Sequence, residues 1–282
     1  MNTPHDFLKK FLPAHLGNIK HARQVSDGDI CQSFFVETTE RPIFIKIHQQ
    51  PPPQMFAKEA KGLRELEKTG AIDIPEVYHQ SDNLLALEYL PPESPSAHYW
   101  RVLGHNLAKL HQNHSPEFGF EEDNYCGLTI QKNSWNIDGY HFFAQNRLLF
   151  QGEMAFNEAL LNAEELRLLE RLCTRLEQLI PSQPASLIHG DLWSGNHLCS
   201  NRKPWLIDPA THYGWAEAEI AMTRLFGGFD SIFYQAYLEI NPLEKDWEAR
   251  LPLYNLYHLI NHLNLFGSSY HSKVITTIRD YL

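Results

Sequence analysis

Hydrophobic positions follow two different periods along the chain. Up to about residue 90 they lie in short runs rich in β-branched and aromatic side chains, which favour strands. The pattern predicts four strands, at residues 32–37, 42–47, 77–78 and 84–88. It also predicts a short N-terminal helix over about residues 3–16 and a helix over residues 55–69, where apolar positions recur at helical spacing. Residues 1–90 are therefore expected to form a small lobe of strands with helices.

Beyond Pro91 and Pro92 the helical period dominates. It predicts six helices: one ending near residue 111, and others at 139–161, 163–180, 216–225, 230–239 and 251–266. Between them, residues 187–206 are typical of short strands joined by a polar turn. The sequence therefore predicts an α+β fold of two lobes, a sheet-rich lobe over 1–90 and a larger, mostly helical lobe over 91–282.

Composition and charge narrow the classes of partner. The chain of 282 residues carries 24 basic and 34 acidic side chains, a formal net charge of −10. Since such a chain repels phosphate backbones, we expect no nucleic-acid partner. No apolar run is long enough to span a bilayer, and the N-terminus lacks the pattern of a secretory signal. With four scattered cysteines and no metal-binding cysteine pair, the sequence favours a cytoplasmic protein.

The segment from His189 to Asn196 carries the strongest chemical signal. Its sequence, His-Gly-Asp-Leu-Trp-Ser-Gly-Asn, resembles the catalytic loop of kinases, with an aspartate and an asparagine five residues apart. In such a loop the aspartate accepts the proton of the acceptor hydroxyl, and the asparagine carbonyl coordinates Mg²⁺. The alternative is a polar turn that merely contains these residue types. We interpret Asp191 as a candidate catalytic base and Asn196 as a candidate metal ligand.

A second aspartate lies twelve residues after Asn196, at the end of the apolar run Trp205-Leu206-Ile207. Metal-binding carboxylates of kinases occupy such a strand end, although an aspartate there can also simply cap a turn. Its place downstream of the candidate catalytic loop favours Asp208 as a second Mg²⁺ ligand.

Lys46 and Glu59 match a third kinase feature, a strand lysine that contacts phosphates and a helix glutamate that orients it. Glu65 lies on the same predicted helix and is an alternative partner. We prefer Glu59 because it lies near the first helical turn, close to the sheet. Gly28 is the single glycine of a candidate phosphate loop, and the chain has no Walker-type motif.

Together these residues resemble the fructosamine kinases (ketosamine-3-kinases), within the aminoglycoside-phosphotransferase and choline-kinase group. The resemblance extends from about residue 28 to 267. It rests on the catalytic loop with its tryptophan, on Asp208-Pro209-Ala210, on the Phe-Gly-Gly-Phe segment at 226–229, and on residues 261–267. Residues 215–216 depart from the family pattern. This departure affects the expected identity of the acceptor more than the expected type of reaction.

The resemblance implies a protein-kinase-like fold that transfers phosphate from ATP, with Mg²⁺, to the 3-hydroxyl of a fructosamine or ribulosamine. Such a product releases its amine, which implies a role in deglycation. By position, the resemblance assigns proton acceptance to Asp191 and phosphate contact to Lys46. It also implies an adenine-binding hinge at Glu88, Tyr89 and Leu90. Trp193 follows the candidate base closely and is a candidate to stack on a sugar face or an amine-bearing acceptor, with core packing as the alternative.

Other interpretations stay open at this point. One is a kinase of the same fold that acts on an aminoglycoside, choline or homoserine, and another is a non-catalytic nucleotide-binding protein on this scaffold. A small-molecule ketosamine or glycated amine is the expected partner, and a monomer or weak homodimer the expected state. Cys31 lies in the candidate phosphate loop, where members of the family often have a cysteine. The resemblance therefore implies redox sensitivity through an intermolecular disulfide, and a half-buried packing role is the alternative.

Overall fold

The computed structural model describes residues 8–27 and 30–282, so the candidate loop residue Gly28 lies outside the described part. Near the N-terminus a five-stranded antiparallel sheet has the order β1-β2-β3-β5-β4. Its strands are β1 Ile19–Asp27, β2 Gln32–Thr38, β3 Pro42–Ile47, β4 Val77–Gln80 and β5 Leu84–Glu88. The four predicted strands are therefore present: β3 pairs with β2 and β5, and β4 pairs with β5. The predicted helix at 3–16 falls partly outside the described residues, and within them Ala14–Leu16 form a 3₁₀ turn.

Helix α1, Met55–Lys68, lies between β3 and β4 in the chain. Its apolar side chains recur at helical spacing, and four of them are buried: Phe56, Ala60, Leu63 and Leu66. This buried stripe explains why the helix forms where the period predicts it, because helices gain most of their stability from such packing.

The remainder of the chain is mostly helical. Its helices are α2 Ala97–Leu110, α3 Gly139–Phe143, α4 Phe150–Asn157, α5 Ala163–Cys173, α6 Leu176–Leu179, α7 Ala216–Leu225, α8 Ser231–Ile240, α9 Trp247–Phe266 and α10 His271–Asp280. A π-helical segment, Ala144–Leu149, joins α3 to α4, so the predicted helix at 139–161 is one continuous element with a wider turn inside it. The final helix, α10, was not predicted.

Short strands position the loops of this helical part. They are β6 His114–Ser115, β7 Asn124–Cys126, β8 Thr129–Gln131, β9 Ala185–Ile188, β10 His197–Ser200, β11 Lys203–Leu206 and β12 His212–Gly214. β10 and β11 form a hairpin, while β9 lies between β12 and β6. The short strands predicted within residues 187–206 are thus present, and the polar turn between them connects β9 to this hairpin.

The two parts share a hydrophobic core. Leu63 and Leu66 of α1 belong to the same buried cluster as Leu103 of α2 and Phe233 of α8. Helices α2 and α8 approach closely at Gly104, where an added Cβ would lie 2.3 Å from the carbonyl oxygen of Phe233. The predicted α+β class is confirmed. The boundary at residue 90 stays a prediction, because apolar packing continues across it.

Within the described residues, no helix combines the length and the apolar character that a bilayer crossing requires.

Candidate active site

The loop after β9 is shaped by a histidine and a glycine. Gly190 has φ +86°, and a Cβ there would lie 2.2 Å from the carbonyl oxygen of Ala210, so only glycine fits. His189 Nε2 donates to the carbonyl of Ile207 at 2.8 Å, and its Nδ1 accepts from the backbone N–H of Asp191 at 3.3 Å. Burial lowers the pKa of His189, which suits this neutral bridging role. The loop is thereby tied to the segment that leads to the second candidate aspartate.

Glu219 on α7 anchors the same loop from inside the protein. Its carboxylate accepts the backbone N–H groups of His189 at 3.1 Å and Gly190 at 2.7 Å. His111 Nε2 lies 2.9 Å from it. Burial disfavours the charged carboxylate, but the hydrogen bond and charge of His111 outweigh this and hold the pKa of Glu219 below its usual value. The sequence analysis did not identify this anchoring role of Glu219.

Asp191 and Asn196 face each other across the loop. Asn196 Nδ2 donates to the backbone carbonyl of Asp191 at 2.8 Å and to its Oδ2 at 3.3 Å. This leaves the amide oxygen of Asn196 free of that contact and available to a cation. Burial, followed by the negative charges of Asp208 and Glu219, raises the pKa of Asp191 to about 7. A carboxylate with such a pKa can accept a proton near neutral pH.

Lys46, Glu59 and Asp208 form a compact ion cluster, called the Lys46 cluster below. Lys46 Nζ lies 2.9 Å from Glu59 Oε1 and 2.5 Å from Asp208 Oδ1. Glu65, the rival for Glu59, instead pairs with Lys68 one helical turn away. Asp208 follows the end of β11 and has φ +56°, a left-handed conformation that aspartate tolerates better than most residues. Such backbone strain often occurs at functional sites.

The charges within the Lys46 cluster shift one another's pKa values. Burial alone would favour neutral groups, but the two carboxylates outweigh it and raise the pKa of Lys46. Burial also raises the pKa of Glu59, despite the opposing effect of Lys46. For Asp208, the charge and hydrogen bond of Lys46 outweigh burial and lower the pKa. Lys46 and Asp208 therefore stabilise each other's charged forms.

A cleft of about 650 Å³ brings these groups together. Its lining includes Lys46, Glu59, Asp191, Trp193, Asn196 and Asp208. Aromatic side chains complete one part of its wall, among them Phe226 and Phe266. A cavity of this size accommodates a small molecule. The candidate base and the candidate metal ligands, distant in sequence, thus share one opening.

The donor set in this cleft fits Mg²⁺. Asn196 offers an amide oxygen and Asp208 a carboxylate, and Mg²⁺ prefers such hard oxygen donors. Asn196 Nδ2 lies 3.4 Å from the backbone carbonyl of Asp208, so the two residues are adjacent. The carboxylate of Asp208 also contacts Lys46, so a bound cation and the ammonium would share it.

The predicted hinge residues lie just beyond the central sheet. Glu88 ends β5 opposite Ile43, Leu90 is buried, and the ring of Tyr89 packs on Phe35 with centroids 4.4 Å apart. They are not among the residues that line the described cleft. Adenine binding by this segment stays a prediction.

Trp193 extends from the catalytic loop into the cleft and is 39% exposed. Its ring meets Phe226 edge to face at 6.2 Å, and Gly195 provides the space beneath it, since a Cβ there would lie 2.4 Å from the indole. An exposed indole at a cleft wall can contact a ligand as well as pack against neighbours. The structure therefore leaves room for the predicted acceptor contact.

Cys31 also lines the cleft but is 7% exposed. Burial raises its pKa to about 11, and nearby Lys46 opposes this shift only in part. A thiol with a raised pKa has a small thiolate fraction and reacts slowly. All four cysteines of the chain are free thiols. Redox sensitivity of Cys31 stays a prediction that its surroundings do not favour.

The fold and the site together define an ATP-dependent phosphotransferase of the protein-kinase-like fold. The strand lysine pairs with a helix glutamate, and the helical part adds an aspartate–asparagine loop and a second aspartate. The predicted fold class is confirmed by a solved structure: a provisionally named fructosamine-3-kinase from Thermobifida fusca superposes with a TM-score of 0.88 at 29% identity, covering 100% of this chain and 99% of its own.

The family model for fructosamine kinase matches residues 5–282, and this chain belongs to that family. A probable ketoamine kinase of Enterococcus faecium is 38% identical over 91% of this chain and 94% of its own length. A protein-ribulosamine 3-kinase of Arabidopsis thaliana, described as chloroplastic, is 34% identical over 92% of this chain and 81% of its own. The predicted family resemblance is therefore confirmed, and with it the assignment as a kinase.

Proposed function

We propose that this protein transfers the γ-phosphoryl group of ATP to the 3-hydroxyl of a ketosamine, a fructosamine or ribulosamine, and thereby serves deglycation. The observation that carries the proposal is the meeting of Asp191, Asn196 and Asp208 with Lys46 in one cleft. Membership of the fructosamine kinase family supports the acceptor class. The protein-ribulosamine 3-kinase among its relatives supports it further.

Each residue of the cleft has a proposed task. Lys46 binds the phosphates, and Glu59 orients its ammonium through the 2.9 Å contact. Asp191 orients the acceptor hydroxyl and takes its proton as the oxygen attacks phosphorus, while ADP carries away the bridging oxygen. Asn196 and Asp208 would hold Mg²⁺, which when bound neutralises charge on the phosphates. Trp193 would contact the sugar or the amine-bearing part of the acceptor.

The proposal also includes expectations about adenine binding, the two lobes, the compartment and the oligomeric state. Glu88, Tyr89 and Leu90 would bind adenine through their backbone, and Gly28 would belong to the phosphate loop. We place the two lobes at 1–90 and 91–282, and the protein in the cytoplasm as a monomer or weak homodimer without nucleic-acid partners. Four free thiols fit a reducing compartment.

An acceptor screen tests the proposal. Purified protein with MgATP is offered fructosamines and ribulosamines of lysine, an aminoglycoside, choline and homoserine, and ATP consumption is measured with the mass of each product. We expect phosphorylation of the ketosamines, followed by release of the free amine. Asp191→Asn, assayed in parallel, excludes a contaminating kinase. Phosphorylation of an aminoglycoside, choline or homoserine alone would replace the ketosamine assignment, and ATP binding without turnover of any acceptor would favour a non-catalytic protein.

A further inference from the structure

Three potential metal ligands lie close together at the wall of the cleft, two of which line it. Cys126 ends β7, Asp191 lies in the catalytic loop, and His258 lies on α9. The Cys126 thiol, a carboxylate oxygen of Asp191 and a ring nitrogen of His258 all lie within 4.8 Å of one another. The proposed phosphoryl transfer uses only one of these three side chains, so the cluster requires a separate explanation.

His258 provides the observation that points to a ligand. The residue is only 6% exposed, and among the described residues its Nδ1 has no hydrogen-bond partner. That nitrogen lies 3.9 Å from Asp191 Oδ1. A buried polar atom without a partner is costly, and an ion or a water is the usual reason for one. Burial lowers the pKa of His258 to about 3, so a neutral imidazole is available.

We propose that Cys126, Asp191 and His258 form a binding site for Zn²⁺ or another thiophilic divalent cation, and that an ion bound there inhibits the kinase by occupying Asp191. The inhibition rests on the proposed function of Asp191, whereas the binding site itself does not. The class of cation follows from the donors. Sulfur, nitrogen and one carboxylate oxygen select Zn²⁺ over Mg²⁺, while the oxygen donors of Asn196 and Asp208 favour Mg²⁺.

The geometry requires only small movements. Ligand atoms around a tetrahedral zinc lie about 3.3 to 3.8 Å apart, so the three donors must close by roughly 1 Å. Asn261 lies one helical turn after His258, and its Nδ2 already approaches Cys126 Sγ at 3.3 Å. This N–H group can stabilise a metal-bound thiolate from the second shell of contacts. Cys126 and Asp191 line the open cleft, so a fourth coordination position would face the acceptor.

The surroundings also limit the strength of the site. Burial raises the pKa of Cys126 well above its usual value, so binding must displace the thiol proton. Because the thiol must lose its proton before it can bind the metal, the apparent affinity is lower than at a site with a preformed thiolate, which fits an ion that binds and leaves again. The inferred role is therefore reversible inhibition.

Cobalt spectroscopy tests the binding site without any activity measurement. Co²⁺ is titrated into the full-length protein without nucleotide, and the sulfur-to-cobalt charge-transfer band is followed in the near ultraviolet. We expect a saturable band with one ion per chain. Cys126→Ser should abolish the band, and His258→Asn or the isosteric Asp191→Asn should weaken binding at least about tenfold. Circular dichroism checks that each variant folds.

The matched control is Cys173→Ser, which changes a thiol on α5 that does not line the cleft and should leave the band intact. Absence of a band at saturating Co²⁺, or a band that survives Cys126→Ser, would overturn the site. So would a band that disappears in Cys31→Ser instead.

Inhibition is tested separately. Wild-type turnover at excess MgATP should fall with added Zn²⁺, recover on addition of a chelator, and be competitive with the acceptor. Zinc sensitivity should be retained in Cys173→Ser and reduced at least about tenfold in Cys126→Ser. Co²⁺ binding without zinc inhibition would overturn the inhibitory role alone. Failure of the proposed function would appear differently, as normal turnover in Asp191→Asn.

Discussion

Asp208 and Asp191 line the same cleft in contrasting surroundings. Asp208 lies 2.5 Å from the ammonium of Lys46, which lowers its pKa. For Asp191, the only basic side chain within 4.0 Å among the described residues is His258, whose neutral ring contributes no charge. Burial therefore raises the pKa of Asp191 to about 7. Their environments thus suit two identical side chains to different proposed tasks: Asp208 stays ionised, and Asp191 can exchange a proton.

The largest expected effect comes from removing the proton acceptor. Asp191→Asn keeps the shape of the side chain but cannot take a proton, so we expect kcat to fall by about 10²- to 10⁴-fold. ATP binding, measured by calorimetry, should change little because the Lys46 cluster is intact. Turnover close to wild type would remove Asp191 from the role of base and with it the contrast between the two aspartates.

The next largest effect is expected from removing Lys46, the cation that pairs with Asp208. Lys46→Met removes the ammonium proposed to bind the phosphates, and we expect kcat/KM for ATP to fall by roughly 10²- to 10³-fold. Lys68→Met is the matched control, because Lys68 pairs with Glu65 and is exposed. If both variants lost activity equally, the Lys46 cluster would have no special part in phosphate binding.

The pH profile tests the raised pKa of Asp191 directly. Asp191 must be deprotonated to act as a base. Because its pKa is raised to about 7, the carboxylate becomes protonated at a higher pH than an ordinary aspartate would. Activity should therefore be present above about pH 7 and lost below it. We expect kcat/KM for the acceptor to fall about tenfold per pH unit on the acid side. The residual activity of Asp191→Asn should lack this limb. A limb near pH 4 instead would show that the bound ligands restore an ordinary pKa.

The smallest effect concerns the acceptor wall. Trp193→Ala should raise the KM of the acceptor about two- to tenfold through loss of an aromatic contact, and leave the KM of ATP unchanged. Trp135→Ala is the matched control: Trp135 is 41% exposed, close to the 39% of Trp193, but does not line the cleft. An unchanged acceptor KM in Trp193→Ala would indicate that this tryptophan only packs against Phe226.

Much of the fold was predictable because it depends on local periodicity. The strands around Lys46 alternate or run apolar over five to seven residues, and α1 carries an unambiguous buried stripe. The two-residue strand β6 and the three-residue strands β7, β8 and β12 are too short for any period to register. They form because neighbouring segments offer hydrogen-bond partners. Cys126, at the end of one of them, was accordingly seen only as a scattered cysteine.

The sequence by itself determined the α+β class, the candidate base Asp191 and the spacing that links it to Asn196 and Asp208, because these features lie within short stretches of chain whose order carries the signal. Only the tertiary structure decided that Lys46 pairs with Glu59 rather than Glu65, that Glu219 anchors the catalytic loop, and that Cys126 and His258 meet beside Asp191. Such contacts join residues many positions apart. They arise from the packing of whole elements against one another, which no local period encodes.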